Sequence, residues 1–297
     1  MKLVTLLIDQ QPHLGVKTER GILDVTAAAR AGKGSTLPAT IHELIEGGSA
    51  AREAVEALVR DAEADGSAWI DAESAVYGPC VTRPQKIICV GLNYRKHAEE
   101  TKAPIPEYPI LFNKFNNTLT GHGHDVELPV ASNEVDYEAE LAIVIGRRTK
   151  HVGVEQALDS VFGYCAANDL SARDLQLRTN QWMLGKVCDG FTPLGPVLVT
   201  ADEISDPNAL NIRTTVNGEE RQNSNTSDMI FDCKHIISYI SRHFTLEPGD
   251  VILTGTPEGV VLGYPKEKRV YLQPGDVVTV EIEKLGSITN RMVAEKL

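Results

Sequence analysis

The sequence has no apolar run long enough to cross a bilayer. Its longest near-apolar stretches, such as Leu141 to Ile145, are about strand length, whereas a spanning helix needs roughly 20 apolar residues. It also has no stripe of lysine and arginine. Acidic side chains number 41 against 29 basic ones, a net charge of −12. This argues against nucleic acid as a partner, because phosphate neutralisation needs clustered cations. An anionic substrate remains open where a metal or a few cations reverse the local field. The five cysteines, Cys80, Cys89, Cys165, Cys188 and Cys233, are odd in number, scattered, and form no C-x-x-C pair. They fit neither a zinc ribbon nor a disulfide framework. The opening MKLVTLLIDQ has one lysine and a short apolar run, then Asp9, Gln10 and Gln11 with no small-residue cleavage site. It reads as a strand and not as a signal peptide, and the expected location is the reducing cytoplasm. Tandem repeats and low-complexity segments are absent. What is left is a chain of 297 residues, 42% hydrophobic and 24% charged, with ordinary globular values. It is long enough to bury most of its surface without covalent staples.

Two regions differ in texture. In residues 1–80, short strand patterns occur at Met1–Asp9, His13–Val16 and Gly21–Val25, followed by helical periodicity over Ile41–Ala64. Tyr77–Pro84 has the turn punctuation of a linker. From residue 81 to 297 strand patterns dominate: Lys86–Val90, Val135–Ile145, Val197–Val199, Leu210–Val216, Val251–Thr254 and Val277–Glu283. Val216-Asn-Gly-Glu219 is a hairpin signal. Helical patterns are fewer, at Val154–Val161, Ser171–Leu177 and Asp228–Phe244. The expected fold class is α+β and β-rich, with a small N-terminal domain ahead of a larger one.

The segment Val135–Ile145 carries the most chemistry. On a strand, alternate side chains point to opposite faces. Tyr137, Ala139, Leu141, Ile143 and Ile145 then form an apolar face, and Asp136, Glu138 and Glu140 share the other with Ala142 and Val144. Residues two apart sit roughly 6.5–7 Å apart along the backbone, within reach of one point for flexible glutamates. Carboxylates that close repel unless a cation lies between them, and hard oxygens suit Mg²⁺ or Mn²⁺. A solvated acidic face on an edge strand is the other possibility, though Ala142 and Val144 suggest a strand buried on both sides. Asp169 follows the apolar run Val161–Ala167 and suits either a ligand or a helix N-cap. Arg173 and Asp174 suit a structural ion pair as well as a functional role. His97 and Glu100 lie three apart, on one helical face, where a solvated helix turn is the alternative. Lys186 alone would be an ordinary surface lysine, and His122 and His124 read as loop residues.

An ordered set of motifs resembles the fumarylacetoacetate hydrolase family, in the manner of its bacterial acylpyruvate hydrolases. The set comprises VGLNYRKH at 90–97, FNK at 112–114, DYEAE at 136–140, NDLSARDLQ at 168–176, Gly185-Lys186, VNGE at 216–219 and LTGTPEG at 253–259. The resemblance runs from about Lys86 to the C-terminus and implies a mixed β-sandwich roll that holds one divalent cation, Mg²⁺ or Mn²⁺, per subunit of a homodimer. Position by position, it implies Glu138, Glu140 and Asp169 as metal ligands. Lys186 matches the active-site lysine, and His97 with Glu100 matches a His–Glu pair on a mobile lid. Lys114, Arg173, Gln176 and Thr256 match positions that line the substrate pocket. No match appears for the additional upstream acid of the founding eukaryotic enzymes.

The implied reaction is metal-dependent cleavage of a C–C bond in an acylpyruvate or other 2,4-dioxo acid, such as fumarylpyruvate or maleylpyruvate, giving pyruvate and a carboxylic acid. The alternative is oxaloacetate decarboxylation or tautomerisation, or isomerisation and decarboxylation of a 2-oxo-hept-ene-dioate, through the same enolate chemistry. A non-catalytic binding protein on the same fold is a third possibility. The charged, proline-bearing segment 93–108 is expected to order on ligand binding.

Overall fold

A computed structural model describes residues 1–31, 37–65 and 69–296. The fold is mixed and strand-rich, as expected. Its centre is the strand Ala139–Ile145, in which all seven residues are buried. Antiparallel pairing joins it to Val161–Asn168 on one side and Val251–Leu253 on the other. These belong to a nine-stranded sheet that ends, on one side, in Ile87–Gly91 and Ile110–Lys114. On the other side it continues through Val197–Thr200 into Lys2–Ile8, Gln11–Thr18 and Gly21–Asp24. Residues before 80 therefore supply three strands of the same sheet.

Both faces of the central strand are covered, which explains its nearly continuous apolar sequence. Leu141, Ile143 and Ile145 meet Ile212, Val280, Ile282 and Ile288 of a second, five-stranded sheet. Ala142 and Val144 belong, on the opposite face, to a second apolar cluster that includes Ile41, Leu44 and Val55. Those three come from two helices, Ile41–Glu46 and Gly48–Asp65. The single helical stretch expected over 41–64 is broken at Gly48, whose φ of +58° turns the chain left-handed. The N-cap of the helix Cys233–His243 is Asp232, whose carboxylate accepts the His235 N–H; the helix sends Ile236, Ile237 and Ile240 into the core between the sheets.

Turn chemistry fixes register where the sequence signals it. Asn217 and Gly218 have φ of 53° and 80°, the paired positive values of a type I′ hairpin. They join Asn211–Val216 to Glu219–Asn225. Three elements differ from expectation. Val154–Ser160 is a 3₁₀ helix that feeds the strand Val161–Asn168. The segment expected to be helical over 171–177 is a two-residue strand and a short helix, Arg173–Gln176. The acidic strand is interrupted between Val135–Asp136 and Ala139–Ile145. Side chains replace the ladder there: the Glu138 N–H donates to Asn168 Oδ1 and the Ala139 N–H to Gln222 Oε1. Among the described residues, no helix is long and apolar enough to cross a membrane.

Candidate active site

The interruption next to the central strand positions the acids. Glu138 lies in the gap, Glu140 on the strand, and Asp169 just beyond the end of the neighbouring strand. The Asp169 N–H donates to the Glu138 carbonyl, which ties the two segments together. One oxygen from each carboxylate falls within 4.8 Å of the others, and all three residues are buried. Among the described residues this is the one cluster of three or more metal-ligating side chains. Asp169 is no N-cap; the helix after it begins at Arg173 behind Ala172.

Three buried cations surround the acids. Lys186 Nζ donates to Glu138 Oε2 at 2.7 Å and to Asp169 Oδ2 at 2.9 Å. Lys114 Nζ donates to Asp169 Oδ1 and to the carbonyls of Leu170 and Phe191. Arg173 reaches Glu138 Oε1 at 2.7 Å and donates from Nε to Asp136 Oδ2 at 2.9 Å. The sequence alternative of an Arg173–Asp174 pair does not occur. Asp174 instead accepts from Ser132 Oγ and the Asn133 N–H.

Four buried carboxylates thus face three buried cations, and Glu140 is the one without a cationic contact. It accepts the Gly255 N–H at 2.7 Å. Burial, then repulsion from Asp169 and Glu138, pushes its carboxyl well above the usual range. Glu138 behaves oppositely. Burial alone would raise it, but Lys186 and Arg173 outweigh that and hold it at about 2. Lys186 would likewise be lowered by burial, and Asp169 and Glu138 raise it instead, so its ammonium stays charged. An uncompensated carboxylate among three hard-oxygen donors fits a divalent cation of the Mg²⁺ or Mn²⁺ type.

A cavity of about 170 Å³ opens onto this cluster. Glu138, Glu140, Lys186, Gln176 and Thr256 face it, together with His97 from the short helix Arg95–Glu100. His97 Nδ1 lies 2.8 Å from Glu100 Oε1, and Glu100 Oε2 accepts the Gly259 N–H. Ionised, Glu100 can only accept, so it selects the tautomer with hydrogen on Nδ1 and leaves Nε2 as the basic nitrogen. The solvated-turn alternative fails because His97 is only 6% exposed. Its half of the segment 93–108 is packed, with the Asn93 amide donating to the Thr254 and Phe231 carbonyls. Ile105 and Tyr108, further along, are each 60% exposed.

Gln176 Oε1 accepts from Arg173, and Thr256 Oγ1 accepts from Gln222 Nε2. Lys114 departs from expectation. Its ammonium is fully buried behind Asp169 and is not part of the cavity wall, so it supports a carboxylate instead of facing a ligand. His122 and His124 are loop residues, bonded to the Thr289 N–H and the Tyr77 carbonyl.

Asp136 is a residue whose role sequence reasoning missed. Fully buried, it accepts the N–H groups of Tyr137, Val261 and Leu262 as well as Arg173 Nε. It therefore ties the Glu138-bound arginine to the loop that carries Gly259, the partner of Glu100. Its alternation with Glu138 in DYEAE was the available signal, but its partners lie far along the chain. Gly185 was another. A Cβ there would sit 2.5 Å from both the Ala172 carbonyl oxygen and Gln176 Cβ. Gly185→Ala is expected to keep the fold, displace Lys186 and lower kcat/KM by about a hundredfold, the effect of an ångström-scale misplacement. Steady-state kinetics with a far-UV CD control checks it, and unchanged kinetics would contradict the close fit.

The fold and the cluster define an enzyme framework in which buried acids and a buried lysine share one small cavity. The chain belongs to the fumarylacetoacetate hydrolase family, and residues 86–293 match the family's profile, described as "Fumarylacetoacetate (FAA) hydrolase C-terminal". It is 43% identical over 286 residues to "Oxaloacetate tautomerase FAHD2A, mitochondrial" of Bos taurus, covering 95% of this chain and 88% of that one. Among solved structures it resembles a fumarylacetoacetate hydrolase from psychrophilic Exiguobacterium antarcticum, with a TM-score of 0.80 and 35% identity over 99% of this chain and 100% of that one. It also resembles a maleylpyruvate hydrolase from Sphingobium sp. SYK-6 in complex with manganese(II) and pyruvate, with a TM-score of 0.81 and 31% identity over 100% of both chains.

Proposed function

We propose that this protein is a divalent-metal-dependent enzyme of small 2-oxo acids, with keto–enol tautomerisation of oxaloacetate as its leading reaction. The observation that carries the reading is one small cavity facing two carboxylates of the acid triad, a charged lysine and the His97–Glu100 dyad. The 43% identity to oxaloacetate tautomerases over nearly the whole chain supports the choice of reaction.

Glu138, Glu140 and Asp169 would hold Mg²⁺ or Mn²⁺, which when bound supplies Lewis-acid polarisation of the adjacent oxygens of a 2-oxo acid. With that cation present the buried cluster carries a net positive charge, which favours an anionic substrate. His97 Nε2 takes a proton from the carbon beside the keto group. Glu100 stabilises the imidazolium that results. Lys186 Nζ donates a hydrogen bond to the keto oxygen as negative charge develops there, and that oxygen then receives the proton. Arg173, Asp136 and Lys114 hold Glu138 and Asp169 in place. Apolar Phe112 and Leu262 line the same cavity and limit water there.

A second reading, hydrolysis of an acylpyruvate, is favoured by the same dyad, since His97 Nε2 oriented by Glu100 can equally take a proton from water. The reading includes a homodimer, supported by Leu177, Met183 and Leu184, which remain 40–58% exposed beside the cavity.

The test is a substrate panel with and without chelator: enol-oxaloacetate followed by ultraviolet absorbance, pyruvate release from oxaloacetate, and cleavage of acetylpyruvate, fumarylpyruvate and maleylpyruvate. Metal-dependent acceleration of enol–keto exchange is expected. Acylpyruvate cleavage without that acceleration would move the assignment to the second reading, and inertness toward the whole panel would reject both.

A further inference from the structure

Trp182 and Lys186 are four residues apart at the start and end of one helical turn, Met183–Lys186 with Trp182 as its N-cap. That spacing sends both side chains to one face, and both face the cavity. Lys186 marks the reacting end, because its ammonium bonds Glu138 and Asp169. Trp182, one helical turn away, lines the same cavity with the uncharged side chains Phe112, Leu177 and Leu262.

The indole is wedged from two sides. It lies on the bare backbone of Gly91, where a Cβ would fall 2.4 Å from Cζ3 and 3.0 Å from Cη2. Phe112 meets it edge-on, with ring centroids 5.7 Å apart and planes at 72°. Phe112 is held in turn by the Lys186 ammonium, 5.1 Å from its ring centroid. Gly91 and Phe112 thus fix two sides of the ring. In a cavity of about 170 Å³, the largest apolar side chain of the wall decides how much chain fits beyond the reacting oxygens.

We propose that Trp182, seated over Gly91, is a specificity-determining residue that admits short 2-oxo acids and excludes those with longer apolar ends. The inference rests on the 2-oxo acid reading and adds the length limit to it. A cavity wall of this kind discriminates by about 10–200-fold per methylene.

The experiment uses the Mn²⁺-loaded protein and a series of N-alkyl oxamates, which keep the adjacent oxygens and vary only the chain. Calorimetry gives the ratio of hexyl to methyl affinity without reliance on turnover. Trp182→Ala is expected to raise that ratio by at least about tenfold, and Trp182→Phe by less. A folded Trp182→Ala protein whose ratio stays within about threefold of wild type would overturn the length limit alone. Failure of the metal-loaded wild type to bind any oxamate would overturn the 2-oxo acid reading, and the length limit with it.

Discussion

Lys186→Met is expected to lower turnover by about 10²–10³-fold, the cost of removing a donor aimed at developing negative charge. Two further consequences are expected, and the second is one that a merely structural role would not produce. Without metal, Glu138 and Asp169 lose their shared donor inside the protein, and breaking a buried pair costs about 3–5 kcal/mol. Arg173 still holds Glu138 and Lys114 still holds Asp169, so the loss belongs at the lower end, about 3 kcal/mol, measured by urea unfolding in chelator. Mn²⁺ affinity is expected to hold or tighten, because the substitution removes a positive charge beside the cation. Turnover within about tenfold of wild type would show that the ammonium does not face the reacting oxygen.

Glu140→Gln is expected to separate stability from function. Glu140 is the buried acid with no cationic contact, and its bond from the Gly255 N–H survives in a glutamine carbonyl. The metal-free variant is therefore expected to unfold at the same temperature as wild type or higher, since the replaced group is uncompensated. Its Mn²⁺ affinity and its turnover are expected to fall by more than the roughly 10–100-fold that outer-shell partners cost. Thermal unfolding in chelator and in Mn²⁺ checks both halves. A stability gain from Mn²⁺ equal to that of wild type would show that Glu140 is not a ligand.

The sequence carried much of this site because its chemistry is local. DYEAE places two of the three acids two residues apart, and Ala142 with Val144 beyond them already implied a strand covered on both faces, as observed. The His97–Glu100 pair needs only one helical turn. Other features were not legible for a common reason: they depend on partners distant in the chain. Whether Lys114 faces substrate or stands behind Asp169 is decided by the carbonyls of Leu170 and Phe191. The break at Glu138 depends on Asn168 and Gln222, which take the N–H groups a ladder would otherwise use. The strand Glu219–Asn225 reads EERQNSN and has no apolar alternation, because it is an edge strand in which only Gln222 is buried. The three N-terminal strands could be read singly. Their attachment to the sheet that carries Glu140 rests on Lys2–Val4 pairing with Val197–Val199, nearly 200 residues away.

The account stands on three carboxylates gripping one doubly charged ion. Crystals grown with Mn²⁺ and measured for anomalous scattering test this most directly. One strong peak per chain is predicted, with carboxylate oxygens of Glu138, Glu140 and Asp169 at about 2.0–2.3 Å, near the octahedral distances of hard divalent cations. A map with no peak among these residues, and Lys186 still bridging Glu138 and Asp169 at saturating Mn²⁺, would contradict it.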